Sequence, residues 1–225
     1  MKVLAIGPHP DDVELAMAGT ILSLRSARHE VVVCDLTDGE PTPIGTQELR
    51  MSEAARAAEL LGVRRITLNM PNRSLADTMD NRRQVAEVIR KVRPELLFVP
   101  YWEDAHPDHV AGAALCEAAR FWAKLTHTTI PGEPWFPPRV VHFLSVHYKL
   151  HPRLSFIVDV TRHIEQKMRA LAAYESQFGL KRGNSAVLDR LRTASSYYGG
   201  LIGTGYGEPF ICREEIGLSG LDQLV

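Results

Sequence analysis

Two short stretches put imidazoles and carboxylates side by side: His9-Pro10-Asp11-Asp12 and His106-Pro107-Asp108-His109. Each follows an apolar run and precedes a helical pattern. Each carries proline at the first helical position, where a missing N–H costs nothing. In both, the first and fourth residues lie three apart across an opening turn, so their side chains can converge on one point. His9, Asp12 and His109 form a set of two imidazoles and a carboxylate that leaves zinc an open position for a water. The same set is the facial triad of non-haem Fe(II) oxygenases, so Fe2+ is possible in that site as well. Asp11 stands beside the set as a general base for the proton of the water, an extra carboxylate that hydrolysis needs and oxygenation does not. His106 is left to stabilise an oxyanion or protonate a leaving amine, and Asp108 to orient a histidine from behind. A Pro-Asp-Asp triplet alone is ordinary helix capping. It is the pairing of the two loops that points to a metal centre.

The elements around these loops must bring them together. KVLAIG (2–7) is a near-continuous apolar run, as expected of a strand covered on both faces; EVVVCDLT (30–37) reads as a second buried strand, and RITLNM (65–70) and LLFVPY (96–101) as the third and fourth. Between them fall helical stretches at about 13–28, at 46–61 with Thr46 as N-cap and Gly62 as stop, and at about 80–93, closed by Pro94. A further helix opens with the second loop and runs to about Leu125. This alternation predicts an α/β fold, a three-layer α/β/α Rossmann-like arrangement with a mostly parallel sheet. In a strand order of 3-2-1-4-5 the first and fourth strands are neighbours, and ligands bind in the crevice beyond their carboxyl ends. Beyond Pro131 the pattern changes. Strands at 140–146 and 155–161 precede helices near 164–177 and 187–201, an elaborated C-terminal third. No linker, repeat or low-complexity tract divides the chain, so residues 1–225 are expected to form one domain.

Composition narrows the partners. Acidic residues number 27 against 26 basic, a formal net charge of −1, which gives no electrostatic case for nucleic acid or an anionic membrane surface. Apolar runs are of strand length, so no membrane span is expected, and the N-terminus has no signal-peptide pattern. Cys34, Cys116 and Cys212 are odd in number and far apart, as in buried thiols of a reducing compartment. A cytoplasmic protein with a small-molecule substrate is the expectation.

The motifs PHPDDVE (8–14) and HPDH (106–109) resemble the signatures of the LmbE-like deacetylases, the PIG-L superfamily. The likeness extends over TDGE (37–40), GTQELR (45–50), EAARAAELLG (53–62) and YGEPF (206–210), as in the bacterial branch that includes bacillithiol-biosynthesis deacetylases acting on N-acetylglucosaminyl malate. Pro8 and Ala105 depart from the residues more common at those positions. The resemblance implies zinc-dependent removal of acetyl from an amino-sugar conjugate. His9, Asp12 and His109 would be ligands, Asp11 the base, and His106, assisted by Asp108, the residue supporting the tetrahedral intermediate or protonating the amine. It also implies a homo-oligomer. An amidase of thiol-sugar conjugates would share every catalytic residue, and a sugar-binding protein with a structural metal would share the ligands.

Other residues carry weaker signals. Arg50 is placed by the resemblance to grip hydroxyls or a carboxylate of a conjugate, and is equally readable as a solvated helix arginine. Arg73 and Asp80 fall near the expected crevice, with Asp80 also suited to capping. Among Tyr197, Tyr198 and Tyr206, the resemblance implies one hydroxyl reaching the site, and Tyr198 is taken as that substrate contact. Glu14 suits a role behind the ligands, and His147 and His151 read as exposed loop residues.

Overall fold

The computed structural model describes residues 1–42, 44–145, 147–179 and 186–221. The first strand, β1 (Lys2–Gly7), is buried from Val3 onward, which accounts for its unbroken apolar run. Leu4 and Ile6 enter one core and Val3 and Ala5 the other, because successive strand residues face opposite sides. Around it lie β2 (Glu30–Thr37), β3 (Arg64–Met70), β4 (Leu96–Pro100), β5 (Arg139–Phe143), β6 (Phe156–Asp159) and β7 (Gly207–Ile211). Among the described residues these form one sheet in the order β3-β2-β1-β4-β5-β7-β6. The first five are parallel, and β7 is antiparallel to both β5 and β6.

Helices α1 (Asp12–Ser26), α2 (Gln47–Leu61), α3 (Met79–Val92) and α4 (Pro107–Ala123) connect the parallel strands. On one face Val85, Ile89 and Val92 of α3 and Leu115, Cys116 and Ala119 of α4 pack on the sheet. On the other, Val13, Met17, Ile21 and Leu22 of α1 do so with Phe143 and Phe210. Caps set the boundaries: Thr46 accepts from Leu49 N–H at the start of α2, Thr78 from Asn81 N–H at the start of α3, and Gly62 closes α2 at φ 66°. α3 thus starts at Met79, and Asp80 sits in its first turn rather than at the cap.

The C-terminal third departs most from the sequence expectation. The strand expected over 140–146 ends at Phe143, and Val146 of that expectation lies outside the described residues. The helix expected over 164–177 is two pieces, α5 (Ile164–Ala172) and α6 (Glu175–Phe178), separated by the fully buried Tyr174 with non-helical φ/ψ. A last helix, α7 (Ala186–Leu201), leads into β7, which inserts between the two strands that precede it in sequence. β7 also explains a break in α1. Met17 is non-helical (φ −142°, ψ 20°), and the Gly19 and Thr20 N–H groups donate to the Glu208 carboxylate at 2.9 and 2.6 Å. Orphan helix donors are satisfied by a strand from the far side of the sheet. Among the described residues, no helix is long and apolar enough to cross a membrane.

Candidate functional site

β1 and β4 are adjacent and parallel, so the chain leaves both at the same end of the sheet, and the two His-Pro loops meet there. The first loop is fixed from β2: Thr37 donates to the Pro8 carbonyl through its N–H (3.0 Å) and its hydroxyl (2.9 Å). Asp11, the residue before α1, is held at φ 114°, a strained conformation for a residue other than glycine, and one that such sites accumulate. In the second loop His106 caps α4, its Nδ1 accepting the Asp108 N–H at 3.2 Å. A neutral imidazole bonded in this way carries its proton on Nε2.

His9, Asp12 and His109 are buried, and each offers a ligand atom within 4.8 Å of the others. Their meeting point is Asp12 Oδ2, 3.2 Å from His9 Nδ1 and 3.3 Å from His109 Nε2. Ligands at ~2.0–2.1 Å on a tetrahedral zinc stand ~3.3 Å apart, so the donor set fits such an ion. The outer nitrogens have their own carboxylates: His9 Nε2 lies 3.2 Å from Asp108 Oδ2, and His109 Nδ1 2.6 Å from Asp104 Oδ2. Both carboxylates are anchored in turn, Asp108 by the Arg73 and Leu75 N–H groups and Asp104 by those of Ala105 and His147. Ser145 donates to Asp12 Oδ1 at 2.8 Å. A ligand imidazole backed by a carboxylate is the usual support for a metal site.

Charge in the cluster fits a cation. Burial depresses the His9 imidazole, but Asp108 and Asp12 overcome this and lift its pKa to about 9. Burial acts likewise on His109, which Asp12 and Asp104 raise to about 10. Burial would raise Asp12, yet the His109 and His9 imidazoles hold it well below the usual carboxylate range. The carboxylates thus demand positive charge at the position where three donor atoms converge. His106 behaves in the opposite way, lowered by burial and by the His9 and His109 charges, and remains a neutral donor.

Asp11 does not share the ligand point. Burial pushes its pKa up to about 7 against the opposing pull of Arg50, whose Nη2 donates to Asp11 Oδ2 at 3.1 Å. Arg50 is itself buried, and its Nε and Nη1 have no hydrogen-bond partner among the described residues. It is therefore not the solvated helix arginine of the alternative reading. These residues line a cavity of about 460 Å³ together with His106, Arg73, Ser145 and His147.

Tyr198 is not brought to the cluster. It lies on α7 in the wall of a neighbouring cavity of about 250 Å³ and does not line the first; the helix carries it past the leucines that separate the two. Glu14 is wholly buried beneath the site, bound by Arg65 and by the Tyr174 hydroxyl. His147 is exposed as expected, yet its ring stands 5.4 Å from that of His106 and 5.2 Å from that of His109. Sequence reasoning missed Asp104, Ser145 and this position of His147. The one available signal was a carboxylate two residues before the second motif.

Residues 4–120 match the family model described as PIG-L: GlcNAc-PI de-N-acetylase. The chain is 33% identical over 219 residues to a diacetylchitobiose deacetylase of Thermococcus kodakarensis, covering 92% of this chain and 81% of the relative. It is 29% identical to a probable N-acetyl-alpha-D-glucosaminyl L-malate deacetylase 2 of Bacillus anthracis, covering 80% and 82%. Among solved structures, the conserved protein TT1542 from Thermus thermophilus superposes with a TM-score of 0.89 at 32% identity, covering 96% of each chain.

Proposed function

From the premise that the chain belongs to the PIG-L family of hydrolytic N-deacetylases, we propose that it is a zinc-dependent enzyme hydrolysing the acetamide of an N-acetylglucosaminyl conjugate to acetate and a free glucosamine. The observation that carries this reading is the convergence of His9, Asp12 and His109 on one point, with Asp11 beside them and outside the ligand set. Zinc held by these three residues supplies Lewis acidity, polarising the carbonyl and acidifying a water. Asp11 takes the proton of the attacking water as general base. Arg50 holds that carboxylate in place and keeps it aimed into the cavity. His106, with Nδ1 occupied by a backbone N–H, presents Nε2–H to the oxygen as negative charge grows on it. The proton gathered by Asp11 then serves the departing nitrogen. Fe2+ suits the same donors, but a buried base paired with arginine supports hydrolysis over oxygenation.

Arg50 also supports the conjugate side of the reading, since it lines the cavity beside the Asp11 carboxylate that it holds. A guanidinium grips a carboxylate or sugar hydroxyls, and the probable malate deacetylase among the relatives makes N-acetylglucosaminyl malate the first conjugate to try. The test is zinc-loaded protein offered that conjugate, N-acetylglucosaminyl inositol, diacetylchitobiose and free N-acetylglucosamine, with release of free amine measured. Zinc-dependent amine release is the expected result, and silence on the whole panel would overturn the reading.

A further inference from the structure

Leu15, Leu144 and Leu191 line the catalytic cavity and also the second one of about 250 Å³, so the two spaces meet across a wall of leucine side chains. Leu144 directly precedes Ser145, the donor to Asp12, which places that wall beside the candidate metal centre. Beyond it stand Leu150, Pro152, Ala194 and the half-buried Tyr198. Three charged residues also border the second cavity: Lys149, which is exposed, and Lys167 and Glu208, which are buried and paired with each other. Lys167 donates to the Leu15 carbonyl at 3.0 Å and to Glu208 at 2.7 Å. Glu208 also accepts from Gly19, Thr20 N–H and the Thr20 hydroxyl. The three shared leucines together with Ala16, Leu150 and Pro152 give an entering group a hydrocarbon side to lie against. A dry apolar cavity of ~150 Å³ already holds benzene, so this one has room for a phenyl ring or a short alkyl chain.

We propose that the second cavity receives an apolar tail, alkyl or aryl, carried by the N-acetylglucosaminyl substrate, and that the enzyme selects substrates bearing one. This rests on the deacetylase reading above. The tail can enter as the group attached to the sugar or as a longer acyl chain in place of acetyl; the chemistry that recognises it is the same.

The experiment compares zinc-loaded protein on methyl N-acetylglucosaminide, hexyl N-acetylglucosaminide and N-hexanoylglucosamine, by kcat/KM and by calorimetric binding. Burial of a methylene is worth about fourfold, so a tail that fits should gain at least about thirtyfold over methyl. The hexyl and hexanoyl arms decide which end carries it. Leu150→Glu and Ala194→Trp line only the second cavity and should remove that gain, leaving methyl glycoside turnover unchanged. Equal kcat/KM and equal binding for all three substrates overturn the proposal while the deacetylase reading stands. A gain that survives both variants also overturns it, because the tail then lies elsewhere. If nothing is turned over, the deacetylase reading fails, and the binding arm still decides the cavity: tighter hexyl binding that Leu150→Glu abolishes supports it, and its absence refutes it.

Discussion

Asp12 Oδ2 is the atom on which His9 and His109 close, and behind each ring a different carboxylate takes the far nitrogen. Such a partner fixes the tautomer and raises the basicity of the ligating nitrogen. Asp104 would therefore act on an ion held there without touching it. Asp104→Asn should weaken zinc binding about 10–100-fold, read by competition with a chelator; unchanged affinity would mean that ring packing alone holds His109. Asp11→Asn separates base from ligand: zinc content should stay as in the wild type while kcat falls about 10²–10⁴-fold. His106→Ala should also retain zinc, with a loss of about 10²–10³-fold if its Nε2–H meets the oxyanion. His109→Ala should lose the metal and activity together. Parallel measurement of zinc content and rate on the four variants checks these roles, and zinc retained in full by His109→Ala would reassign that ligand.

At the scale of elements, the loop after β2 does more than connect. Gly39 has φ 79°, and a Cβ there would lie 3.1 Å from Pro10 Cδ and 3.2 Å from Arg50 Nε. Gly39→Ala should cost about 1–2 kcal/mol of backbone strain, a fall in Tm of roughly 2–8 °C for a chain of this size, and should raise KM by displacing Arg50. A variant that melts and turns over like the wild type would show the loop unconstrained. Glu208 is the corresponding device on the other side of α1. Glu208→Ala leaves Lys167 buried and unpaired and strips partners from Gly19 and Thr20, so a loss of about 3–5 kcal/mol is expected, seen in chemical denaturation. These elements also explain what the sequence could disclose. β1 and β2 read plainly because burial on both faces makes them nearly unbroken apolar runs. The two His-Pro loops read plainly because spacing within one turn is local. β7 did not, since a short segment with Pro209 and flanking glycine lacks strand composition and is held by pairing with β5 and β6. Asp104 and Ser145 were illegible for a related reason: each matters only through a partner that the fold brings to it. Tyr198 shows the converse, a residue type suited to the site but carried by its helix into the next cavity.

For the molecule as a whole, the parallel part of the sheet sends the loops after β1 to β5 to one end, and each contributes to the cavity wall: Asp11, Gly39, Arg73, His106 and Ser145 come from five different crossings. Buried acids gathered in this way oppose folding unless positive charge answers them. Arg50 answers Asp11, and Arg65 answers Asp35 and Glu14 deeper in. Among the described residues Asp12 is answered by the imidazoles of His9 and His109, which can serve as ligands once they give up their protons. A divalent ion bound there stabilises the native state and has no preformed site in the unfolded chain. At a free zinc concentration ~100 times its Kd, the linkage amounts to about 2.7 kcal/mol, or roughly 5–10 °C in Tm for a domain of this length. Chelator should therefore lower the melting temperature by that amount and zinc should restore it, whereas Asp11→Asn should show the same shift and His109→Ala none. Scanning calorimetry of the three proteins, with and without chelator, reads this directly. A wild-type melting temperature indifferent to zinc would mean that the convergent donors hold no ion in solution.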